Sequence, residues 1–198
     1  KKTTLPCDVW FTFVVMEELD GSGTGDFAKW FQTKGYTLQY SEVAAIFAEP
    51  TGLATVEYGH RGNYFIKAQA VGQAGHSGRP NSITRQAILI MNDFINELVR
   101  LNRIWAIRFK GSDFGLPSIT LTSLEAKSKS PNKTAEKCEA IVDLRTIPLF
   151  DKEAYDAVSK IAKQKGVKLS FLYPPAPCGY TNPDSKIIKV VKDLFPNI

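Results

Sequence analysis

The stretch NYFIKAQAV, residues 63–71, decides the fold. Tyr64, Ile66, Ala68 and Ala70 fall on one side of an extended chain, and Asn63, Phe65, Lys67 and Gln69 on the other, the period of a strand with one buried face. After it the period changes. Ile83, Ala87, Ile90, Met91, Phe94, Leu98 and Leu101 recur at helical spacing. A strand over 118–124 follows, then one over 136–145 that turns Cys138, Ala140, Val142 and Leu144 inward. A helix over 151–163 and a strand over 167–172 complete the order βαββαβ, the ferredoxin-like split arrangement of an α+β domain.

Upstream, DVWFTFVVM (residues 8–16) is a nearly unbroken apolar and β-branched run, as expected of a parallel strand buried on both faces. It stops at Glu17-Glu18. The Gly-rich stretch 21–25 reads as a turn into a short helix through Phe27, Trp30 and Phe31, and a second apolar run over 43–48 stops at Glu49-Pro50. This predicts part of an α/β domain, with parallel strands and helices. Downstream, a Pro-rich linker at 173–177 leads to an amphipathic helix over 185–195. Two strands and two helices are too few for a stable parallel sheet, so the sequence reads as cut from a longer chain at both ends.

Open α/β sheets bind ligands beyond the carboxyl ends of their strands, where Glu17, Glu18 and Glu49 would gather. A single Glu after a strand is ordinarily solvated. Three together repel one another unless a cation or a shared proton lies between them. With two as metal ligands, the third can act as general base on a metal-bound water. The Gly-rich stretch does not compete for this role. It lacks the Lys-Ser/Thr ending of a phosphate loop, and Phe31 stands where a calcium loop starting at Asp20 needs a bidentate Glu.

Composition excludes other classes. A hydrophobic share of 43% over 198 residues can fill a core, yet no apolar run reaches the roughly 18 residues of a membrane span. The odd, scattered cysteines Cys7, Cys138 and Cys178 and the absence of a signal-peptide pattern point to a reducing cytoplasm, with all three thiols packed and inert. The net charge of +5 is dispersed along the chain, which suits a solvated surface more than a nucleic-acid partner. Residues 61–66, RGNYFI, do mimic the aromatic signature of RNA-recognition modules. They lie on the first strand, however, and the third strand, which should carry the stacking aromatics, has none.

Taken in order, the motifs resemble the two-zinc peptidases and deacylases that include carboxypeptidase G, acetylornithine deacetylase, succinyl-diaminopimelate desuccinylase and aminoacylase. The carrying segments are the apolar strand with Glu17-Glu18 and Asp20-Gly21, then Ala48-Glu49-Pro50-Thr51, Gly59-His60-Arg61-Gly62, Gly72-Gln73-Ala74-Gly75-His76-Ser77, and 132–145 ending Val142-Asp143-Leu144-Arg145. The resemblance implies a partial catalytic domain at 1–58, a lid and dimerisation domain at 59–174, and a return into the catalytic domain at 175–198. It implies Glu17 as general base, Glu18 and Glu49 as ligands of different metals, and His76 as oxyanion stabiliser in the partner's site. Asn132 and Arg145 would hold the substrate carboxylate.

Two zinc ions would serve the whole enzyme, with cobalt as an alternative. The reaction implied is hydrolysis of the amide bond of a small N-acyl amino acid by a lid-mediated homodimer, with carboxypeptidase or dipeptidase activity as the alternative. A further possibility is a lid acting purely as a dimerisation module. Two departures stand out: a short turn at Arg79-Pro80-Asn81-Ser82, and Ala135 where the family has Pro. The family's metal-binding His and bridging Asp would precede Lys1, and its last His would follow Ile198.

Overall fold

The computed structural model describes residues 7–16, 21–50, 52 and 54–196, which fall into two compact units, Lys1–Pro50 and Thr51–Ile198. In the first unit the helices are α1 (Ser22–Thr33) and α2 (Tyr36–Gln39). Trp10 gathers the other aromatics, with ring centroids 5.8 Å from Trp30, 5.8 Å from Phe31 and 5.0 Å from Tyr36. The two parallel strands expected over 8–16 and 43–48 are not formed: both segments are irregular, and Phe11 and Phe13 are 83% and 95% exposed. A strand exists only where a neighbour completes its ladder of N–H and C=O groups, and no described segment of this unit does so. The apolar runs carry the composition of buried strands without the partners that would make them so. The expected turn at 21–25 is also shorter, because α1 already begins at Ser22.

The second unit is built on β2 (Gly62–Val71), β3 (Ser118–Ala126), β4 (Lys137–Thr146) and β5 (Val167–Phe171), preceded by the two-residue β1 (Gly59–His60). The sheet order is β3-β4-β2-β5, and every neighbouring pair is antiparallel. Helices α3 (Ala87–Arg108) and α4 (Asp151–Lys165) pack against it. Alternation along β2 and β4 explains the core. Ile66, Ala68 and Ala70 from β2, with Cys138, Ala140, Val142 and Leu144 from β4, are all buried against Met91, Phe94 and Leu98 of α3 and Ala154, Val158 and Ala162 of α4. The alanines let the helices approach closely. Phe94 fills the centre, and cutting it to Ala would cost about 3–5 kcal/mol through lost transfer energy and the cavity left behind.

Two boundaries differ from the sequence reading. Helix α3 starts at Ala87 because Pro80–Ser82 is a 3-10 turn and Gln86 is extended; Ile83 lies outside the helix and packs over Gly75. The helix then runs on to Arg108, burying Trp105 against Phe150. Helix α4 carries Asp151 and Glu153 in its first turn and Lys163 and Lys165 in its last, which suits its dipole, and closes on Gly166 at φ 68° so that β5 follows at once.

The Pro-rich segment after β5 is tied down. Ala176 exchanges backbone hydrogen bonds with Asn63, and β6 (Gly179–Tyr180) pairs antiparallel with β1 before α5 (Lys186–Leu194). No described helix is long and apolar enough to cross a membrane.

Candidate functional site

Beyond the end of β2 the chain folds back onto the segment that leads into β4. Gly72 N–H donates to Glu136 O at 2.8 Å, Ser77 N–H to Asn132 O at 2.8 Å, and Thr134 N–H to Gly75 O at 2.9 Å. This zipper brings His76 and Asn132, 56 residues apart, into contact: the Asn132 side-chain amide lies 3.1 Å from His76 Nε2. Gly78 N–H donates to His76 Nδ1 at 3.0 Å. Nδ1 thus accepts from the backbone. The Asn132 amide also accepts from the Ser130 hydroxyl at Oδ1, 2.6 Å away, so it is held between that serine and the imidazole. The outcome is an exposed imidazole held at both ring nitrogens.

Arg145 stands on the open face of the sheet, opposite Asn63 on β2 and Ser118 on β3. Its Nη2 donates to Asp143 Oδ2 at 3.1 Å, and its Nε makes a close ion contact of 2.8 Å with Asp143 Oδ1. The guanidinium carbon lies 5.6 Å from the Phe65 ring centre, in cation–π range. Arg145 is separated from His76 and Asn132 by nearly the whole of the ten-residue strand β4, roughly 27 Å at the rise of a strand.

Of the residues singled out in the sequence, then, His76 and Asn132 meet, and Arg145 lies at the other end of the same strands. Glu49 belongs to the first unit, exposed on irregular backbone rather than at a strand end. Glu17 and Glu18 lie outside the described residues. Among the described residues no three His, Cys, Asp or Glu side chains gather as a metal site.

Residues 58–169 match the sequence pattern of the peptidase dimerisation domain of M20 peptidases. This chain belongs to that family. It is 28% identical over 189 residues to the acetylornithine deacetylase of Pectobacterium atrosepticum, covering 91% of this chain and 48% of that protein. It is 30% identical over 154 residues to a peptidase M20 domain-containing protein of Schizosaccharomyces pombe, covering 74% of this chain and 36% of that one. The chain thus spans about half the length of the first relative and less of the second. An amidase of the hydantoinase/carbamoylase family from Burkholderia phymatum shares the fold at a TM-score of 0.52 and 15% identity, over 63% of this chain and 31% of that one.

Where the chain leaves this M20 dimerisation domain the structure reveals a cluster that sequence reasoning missed. Asp151 accepts from the Thr146 hydroxyl, from Cys178 N–H at 2.5 Å and from the Cys178 thiol at 3.2 Å, while Gly62 N–H points at Cys178 Sγ from 3.1 Å. A Cβ on Gly62 would lie 2.2 Å from Thr146 Oγ1, so only glycine admits this approach. Burial pushes the Cys178 thiol above its ordinary range, keeping it protonated and able to donate. The cluster fastens the outgoing chain to the start of β2. The only local signal was a Thr closing a strand and an Asp opening the next helix.

Proposed function

We propose that this chain is the lid and dimerisation domain, with flanking catalytic-domain segments, of a metal-dependent amidohydrolase that cleaves the amide bond of an N-acyl amino acid. The proposed boundaries are 1–58, 59–174 and 175–198, and the βαββαβ unit is read as the ferredoxin-like split arrangement. The relation to an acetylornithine deacetylase over 91% of the chain is the observation that carries this reading. In it, Arg145 takes the substrate carboxylate, and His76, held at Nδ1 by Gly78 N–H, exchanges its contact with Asn132 for the oxyanion that forms when the amide carbonyl is attacked. One copy cannot bring both to one small substrate across the length of β4, so the site combines His76 and Asn132 of one chain with Arg145 of another. Asn132 in this arrangement steadies His76, and it reaches the carboxylate held by Arg145 only from the second copy.

Dimerisation is assigned to the β3 edge and the adjoining face of α3. β3 is the longer open edge, and Leu121, Leu124 and Val99 are exposed beside it at 39%, 53% and 45%. In the same reading Glu17 is the general base and Glu18 and Glu49 would each hold one of two metal ions, which would polarise the amide carbonyl and activate the attacking water.

The test is to incubate the full-length protein with N-acetyl-L-ornithine and, separately, with dipeptides, with and without chelator. The reading expects acetate release that chelation abolishes. Cleavage of dipeptides alone would favour a peptidase, and no amide cleavage in metal-replete protein would refute the proposal.

A further inference from the structure

We infer that Asp143 is a positioning residue for Arg145: it occupies the Nε/Nη2 edge of the guanidinium and leaves the Nη1/Nη2 edge as the receptor for a planar carboxylate. The inference rests on the reading of Arg145 as carboxylate ligand given above and adds how that receptor is aimed. A guanidinium offers two edges to carboxylates, each with two parallel N–H groups. Asp143 takes one of them through Nε, 2.8 Å from Oδ1, and Nη2, 3.1 Å from Oδ2.

The burial is asymmetric in the informative direction. The Asp143 side chain is 18% exposed and that of Arg145 38%, so the acid sits inward and the uncovered part of the pair is the guanidinium's outer edge. Asp143 Oδ1 is buried and makes no hydrogen bond besides that ion contact, which ties the acid to this one base. The cross-strand neighbours are uncharged: Asn63 and Ser118 lie opposite Arg145, and Phe65 and Thr120 opposite Asp143. Lys67 on this face is engaged by Glu139 at 2.9 Å, and Glu139 also accepts from Gln69 at 2.7 Å. Phe65 lies against the guanidinium and Tyr173 meets Phe65 edge-on at 5.9 Å, so the plane of Arg145 is constrained as well as its edge. A solvated pair of equal standing would have neither the burial nor the ring.

The two edges can be read separately by nitrogen-resolved NMR of the arginine side chains of this chain, with Arg145→Lys assigning the Arg145 signals. In the wild type, Nε–H should exchange slowly with water, and added N-acetylglycine should move the Nη signals while leaving Nε in place. In Asp143→Ala, Nε–H should exchange about tenfold faster, the ratio expected for loss of one charge-assisted contact, and N-acetylglycine should then move Nε too. Asp143→Glu should restore part of the protection, and unchanged core amide signals would show that each variant is folded. Equal Nε–H exchange in wild type and Asp143→Ala overturns the positioning role, even if N-acetylglycine still moves Nη. If the exchange difference holds and N-acetylglycine moves no Arg145 signal in any variant, the carboxylate reading of Arg145 falls instead, and the receptor with it.

Discussion

His76 and Arg145 stand at opposite ends of the same antiparallel strand pair, one beyond the Val71–Lys137 end and the other next to the Gly62–Thr146 end. The pair is stiffened along its whole length by a continuous ladder, and its core face is packed by two helices. Bending one dimerisation domain to bring the two side chains together would break that ladder. The proposed function therefore calls for two copies, each donating one end of its sheet to a different site.

The β3 edge is the surface on which two copies should meet. Leu124→Arg places a charge at a position 53% exposed in the single chain, so folding should change by less than about 0.5 kcal/mol while a dimer would have to bury that charge. Sedimentation is expected to show a dimer for the wild type and a monomer for Leu124→Arg with an unaltered melting temperature. A variant that remains dimeric would move the interface elsewhere.

How much of this was legible in the sequence depended on whether the signal was local. The alternation in β2 and β4 is local, because one face of each strand is buried and the other is not, and both strands lie where it placed them. The helical period ran on through Ile83 because spacing is blind to the 3-10 turn at Pro80–Ser82. For 8–16 and 43–48, apolarity signalled burial but could not supply a ladder partner, which is a property of the rest of a sheet. Contacts at long range had no local trace. His76 meets Asn132 only because two loops zip together, and Cys178 meets Asp151 only because the chain returns to β2 after β5.

Asp151 should matter more for stability than a carboxylate opening a helix usually does. Asp151→Ala leaves the Cys178 N–H without its acceptor and the buried Thr146 hydroxyl with only Cys178 Sγ, 3.2 Å away, a loss of roughly 1–3 kcal/mol, since a buried donor without an acceptor costs its full desolvation. Urea unfolding should show this as a lower midpoint with an unchanged slope. A change under about 0.5 kcal/mol would mean that water replaces the carboxylate and the cluster is not a fastening.

Tyr64 sets an alkaline limit. Its phenol is pushed up to about 12, first by burial and then by the charge of Asp151 and a hydrogen bond to it. The folded state thus favours the protonated phenol. The stability this contributes is fully present below pH 10, the ordinary tyrosine value, and is lost as pH rises from 10 towards 12. Melting temperatures taken across that window should fall more steeply for the wild type than for Tyr64→Phe, which keeps the ring beside Tyr155 and has nothing to ionise. Parallel curves would assign the alkaline loss to other groups.

A site shared between two chains is tested most directly by mixing two inactive variants of the full-length protein, His76→Ala and Arg145→Ala, under conditions that exchange subunits. If His76 of one chain serves the site that contains Arg145 of the other, each mixed dimer has one site lacking both groups and one site with both intact. Random exchange should then restore about a quarter of wild-type amidase activity from two preparations that have almost none. If mixed dimers form and activity does not return, both groups act within one chain, and the division of the site between the two ends of the β2–β4 pair is wrong.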